Sequence, residues 1–152
     1  MDPLSLTASV IAILGAAATI AKQLNLLRST LRHASSTLCL LANEISDLRV
    51  VLGACETAIG ELYSNPDLSH RRSRIPLSDL DQILGRIRGS LAELGAILSS
   101  CLPACSPDTS SRHSIRVAKL KWIREKNNAQ RLQNHVRESK QDLLVLLESH
   151  SV

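Results

Sequence analysis

The chain contains no phenylalanine, one tyrosine (Tyr63) and one tryptophan (Trp122) in 152 residues. β-Sandwiches and barrels draw heavily on aromatic and β-branched pairs, so a hydrophobic content made of Leu, Ile, Val and Ala favours helix packing instead. Cysteines are few, at 39, 55, 101 and 105. Cys55 falls in register with neighbouring leucines and reads as a small buried hydrophobe. Cys101 and Cys105 form a C-x3-C beside Pro103, but no second ligand pair at matching spacing follows, so no metal is expected. Charge is missing altogether between Leu4 and Ala21. A secretory signal is argued against by Asp2, by an opening without Lys or Arg, and by an apolar run that continues as a patterned helix. A cytoplasmic setting with reduced thiols is expected.

Catalytic patterns are lacking too. There is no G-x-S-x-G, no glycine-rich phosphate loop and no H-E-x-x-H, and the six glycines are scattered within helical stretches. The histidines, at 33, 70, 113, 135 and 150, fall in loops or on polar faces and read as solvent-exposed rather than ligating. No enzyme activity and no cofactor are expected. Single-stranded nucleic-acid binders stack bases on aromatics, and groove readers present Asn, Gln or Arg at the start of a recognition helix. Neither pattern is found, so no nucleic-acid partner is expected.

What is present is a series of apolar stripes. Leu6, Val10, Ile13, Ala17, Ile20, Leu24, Leu27 and Leu31 alternate four and three residues apart, laying one seam along a helix of residues 3–32 that Asp2 and Pro3 open. The opposite side, through Leu4, Ala8, Ile11, Gly15 and Ala18, is also uncharged, so the first half of this helix is apolar all round and must be enclosed by protein, by lipid, or by each in turn. Leu38, Leu41, Ile45, Leu48, Leu52, Cys55, Ile59 and Leu62 give a second seam over 36–63, ended by Asn65-Pro66. Leu80, Leu84, Ile87, Leu91, Leu94 and Leu98 give a third over 77–102, opened by Pro76 and a capping-box pattern of Ser78 and Asp81, and stopped by Pro103 and Pro107. Ile115, Ala118 and Trp122 share a face over 113–126. Leu132, Val136, Leu143 and Leu147 share another over 128–149, with Asn127-Asn128 as the expected break. Each stripe needs a partner, and the reading is a single all-α domain, 1–152, folded as an antiparallel four- to five-helix bundle.

Net charge is +4, yet Arg112 to Arg131 holds seven Lys or Arg against Glu125 alone. A basic face of this kind suits anionic lipid or an acidic partner, and otherwise simply keeps a helix face solvated.

The opening Met1-Asp2-Pro3-Leu4-Ser5-Leu6-Thr7-Ala8-Ser9-Val10-Ile11-Ala12 resembles the start of the fungal N-terminal domain of STAND proteins, the HeLo-like group found ahead of NACHT and ankyrin-repeat regions. Lys119-Leu120-Lys121-Trp122 and the final Asp142-Leu143-Leu144-Val145-Leu146-Leu147 resemble the same domain's Leu-Lys-Trp segment and last helix. The resemblance spans essentially the whole chain and implies a helical bundle that acts in fungal non-self recognition, heterokaryon incompatibility or programmed cell death. It also implies an N-terminal helix that leaves the bundle for the membrane. That role would fall on Leu4, Ala8, Ile11, Ala12, Gly15 and Ala18, with Lys119, Lys121, Arg124 and Lys126 as contacts to anionic lipid at the plasma membrane. Other helical signalling domains, or a second copy, are the implied protein partners. No nucleotide-binding region follows, so a stand-alone protein, an adaptor or a truncated relative is expected. Eighteen uncharged residues span about 27 Å as a helix, close to the roughly 30 Å of bilayer hydrocarbon. The rival expectation is a soluble protein-protein interaction adaptor that never enters lipid. In the resting state the first helix is expected in the bundle core, with insertion as a conditional second state.

Overall fold

The computed structural model describes residues 3–31, 35–64, 76–102 and 111–149. Among the described residues there are four helices: α1 (Pro3–Thr30), α2 (Ser35–Ser64), α3 (Leu77–Cys101) and α4 (Ser111–Ser149). Among the described residues there is no strand. All eight α1 seam residues are buried, as are the six of α3 and the first seven of α2. The side chain of Leu62 lies outside the described residues.

The helices pack as a square. α1 touches α2 and α3, and α4 touches α2 and α3, which leaves α1 and α4 at opposite corners. With only residues 31–34 between them, α1 and α2 are antiparallel neighbours. Gln23 Nε2 donates to Ser99 Oγ (3.0 Å) and Arg88 reaches Ser9 Oγ (3.4 Å), so α1 and α3 run parallel. Arg86 pairs with Asp142 at 3.1 Å and Arg131 with Glu93 at 3.4 Å, so α3 and α4 run antiparallel. The N-terminus of α1 therefore shares one end of the bundle with the C-terminus of α4.

Three local expectations are corrected. The last part of the chain is one unbroken helix of 39 residues, with no break at Asn127-Asn128. The reason is a seam that resumes in phase beyond that point: Ala118, Trp122, Ala129, Leu132, Val136, Ser139 and Leu143 are all buried, at steps of three or four residues apart from one full heptad between Trp122 and Ala129. Asn128 also turns its amide to Glu125 one turn back (3.1 Å). Asn costs a helix well under about 1 kcal/mol, less than the burial on either side returns. Residues 111–149 accordingly supply one helix rather than two. Second, Ile115 is 40% exposed and does not join Ala118 and Trp122 in the core.

Third, Ser78 caps nothing. The α3 N-cap is Pro76, with φ −68° and ψ 100° and no side-chain cap bond, and its carbonyl accepts from Leu80 N (3.1 Å). Proline supplies the fixed φ from which the helix starts, so Ser78 already lies inside the first turn. At the other end Leu102 is extended (φ −70°, ψ 134°), the conformation favoured by a residue preceding proline, and the helix stops there.

Candidate functional site

The outer side of α1 is the first surface of interest. Leu4 is 65% and Ile11 54% exposed; Ala8, Ala12, Gly15 and Ala16 are open, and Ala18 is half-buried. The helix was expected to lie enclosed, and only its seam does. By length and composition α1 is able to cross a membrane, with mean hydropathy 2.0 over its most apolar window, and only 28% of that window is buried. An outer face in a soluble bundle ordinarily carries charge. α2 has Asp47, Arg49 and Glu61 there, and α3 has Asp79, Arg86 and Glu93. The first charge on α1 is Lys22.

Lys119, Lys121, Arg124 and Lys126 are all exposed on the N-terminal half of α4, and none forms an ion pair with a described residue. The bundle does not bring them to the α1 face. The two helices occupy opposite corners, and their outer sides point in opposite directions. Ser9 is level with Arg88, and Arg86 with Asp142, which puts the α4 cations roughly 11 to 18 residues, about 16 to 27 Å, along the axis from the middle of the apolar face.

Two features were not legible as site residues. Leu120 (62% exposed) and Ile123 (59%) lie among the α4 cations, pointing away from the core. Their signal was present as phase, since both fall out of step with the Ala118 and Trp122 seam. The other feature is a charged cluster between α2 and α4. Glu44, buried, pairs with Lys140 Nζ at 2.7 Å and Arg137 Nε at 3.4 Å, while Asp47 lies 3.8 Å from Lys140. Glu44 is enclosed where α4 packs against α2.

A shallow cavity of about 370 Å³ between α3 and α4 is lined by Arg86, Ser90, Glu93, His135 and Glu138 among others. His135 and Glu138 are one turn apart, a pairing the sequence reading overlooked. Among the described residues no three His, Cys, Asp or Glu groups converge on a metal. Burial pushes the Cys55 thiol up to about 11 and raises that of Cys101, against which the Ser100 hydroxyl works. Both stay protonated and poorly nucleophilic at neutral pH. Cys105, and with it the C-x3-C pair, lies outside the described residues.

No family model, curated protein or solved structure matches this chain.

Proposed function

We propose that this protein is a non-enzymatic signalling or cell-death effector domain whose α1 helix is its working element, held in the bundle by one face and able to exchange that packing for lipid. The observation behind this reading is the uncharged outer side of α1, solvent-exposed from Leu4 to Thr19 on a helix long enough to cross a bilayer. The resemblance of the opening residues to HeLo-like domains of STAND proteins supports the same reading.

A membrane-entering helix must bury its whole circumference in apolar surroundings, and α1 already lacks the charges that would oppose this. Burying one Asp or Lys at the helix centre costs about 2.5 to 3.5 kcal/mol on insertion scales. The competing reading, a soluble adaptor, would cover the same face with a partner protein.

The test uses the exposure of Ala12. Because its side chain meets solvent in the bundle, Ala12→Asp is expected to leave the fold intact by circular dichroism and thermal melting. Dye release from anionic vesicles should be strong for the parent and lost in the folded variant. Equal release by both would remove α1 from the mechanism.

A further inference from the structure

We propose that the N-terminal half of α4 is an interfacial docking surface for anionic membrane, used by the intact bundle and independent of α1 leaving it. The inference rests on the membrane setting of the proposed function, but on a different helix and a different step.

The two most exposed aliphatics on this face, Leu120 and Ile123, each have a cation one helical turn before and another one turn after. Leu120 lies between Arg116 and Arg124, four residues to either side. Ile123 lies between Lys119, four before, and Lys126, three after. Residues so spaced form neighbouring rows on one helix surface. The segment's one acid, Glu125, is half-buried on the side toward Cys101 and accepts from Asn128, so it does not neutralise the row. None of these cations is paired within the described residues.

Four exposed cations around aliphatic side chains match the chemistry of a bilayer interface, where ammonium and guanidinium groups meet phosphates while Leu and Ile sink to the acyl boundary. A purely electrostatic partner would gain nothing from Leu120 and Ile123. The surface is also convex and lies near the end of the bundle: Cys101, the last residue of α3, is level with Lys121 to Glu125, so earlier turns of α4 extend beyond α3. A convex ridge suits a deformable planar surface better than the groove a peptide needs.

The corner-to-corner arrangement then sets a constraint. When α4 lies on a membrane, the apolar side of α1 faces away from it. Docking and insertion into one bilayer are therefore sequential, and α1 must leave its seam to follow.

The experiment is sedimentation of the full chain with vesicles of phosphatidylcholine alone and of phosphatidylcholine mixed with phosphatidylserine. Parent and Ala12→Asp are compared with Leu120→Ser/Ile123→Ser and with Lys119→Glu/Arg124→Glu, all at exposed positions. The parent should bind only the mixed vesicles, and Ala12→Asp should bind as well as the parent even where it no longer releases dye. The serine pair should weaken binding about tenfold or more, and the charge reversals at least as much. Binding unchanged in the serine pair, or lost in Ala12→Asp, would overturn the proposal. So would parent binding to neutral vesicles, or preferential binding to a nucleic-acid oligonucleotide. Failure of dye release with α4 binding intact would remove the α1 reading alone.

Discussion

α1 and α4 stand at opposite corners of one bundle and are held by seams of the same design, yet they show solvent very different surfaces. α1 turns outward, over its first half, an uncharged ridge of small and aliphatic residues, and α4 a cationic ridge with aliphatics, Leu120 and Ile123 foremost, set into it. The inner faces must complement one another, so both follow a four-three spacing of apolar residues. The outer faces answer to nothing inside the fold, so what they carry reports on partners rather than on stability. The two helices also tolerate polarity differently at the core margin. The α1 seam is wholly hydrophobic, whereas α4 buries Gln133 and Ser139 and supplies Lys140 and Arg137 to a buried Glu44.

Seam substitutions should have the largest effect and should make the two helices look alike. Leu24→Ala in α1 and Trp122→Ala in α4 each remove a fully buried side chain and are expected to cost about 2 to 5 kcal/mol by urea unfolding. A loss below about 1 kcal/mol at Leu24 would mean that α1 is only loosely held. Next comes the charged margin. Glu44→Ala leaves Arg137 without its anion and Lys140, itself only 14% exposed, with Asp47 alone at 3.8 Å, and should cost about 2 kcal/mol. Replacing the Glu44 and Lys140 pair together by apolar residues should recover most of that loss, and a double-mutant cycle in denaturant measures the coupling. No α1 substitution should reproduce this coupling.

The smallest effect should have the opposite sign. Gly15 lies on the exposed side of α1 in ordinary helical geometry, and a Cβ there would meet nothing within 4 Å. Gly15→Ala should therefore stabilise the folded bundle by about 0.5 to 1 kcal/mol in thermal melting. If inserted helices pack through their small residues, the same variant should release less dye despite being more stable. Stabilisation with unchanged release would limit the role of Gly15 to the resting bundle.

Most of the fold was legible because periodicity is a local property. The seams at Leu6 to Leu31, Leu38 to Ile59 and Leu80 to Leu98 were readable residue by residue, and helix bounds followed to within about two positions. The Asn127-Asn128 break was misread because asparagine's modest helix penalty was weighed without Ala129, a small residue whose burial continues the seam. Ser78 was misread because its spacing to Asp81 matches a capping box, while the cap itself was decided by the backbone of Pro76. The candidate site was legible as two residue sets but not as an arrangement. Leu120 and Ile123 went unnoticed because an exposed aliphatic cannot be told from a core one until its helix has been rotated against its neighbours.

The sequence by itself determined that this is an all-helical bundle with an uncharged first helix and a basic last one. Spacing and charge along the chain are enough for that, since each helix buries whichever stripe is continuous. Tertiary structure alone decided which helices are neighbours, that Glu44 is enclosed, and that the α1 and α4 surfaces face opposite ways. Those facts depend on how four stripes share one core, and no stripe contains the identity of the helix that will cover it.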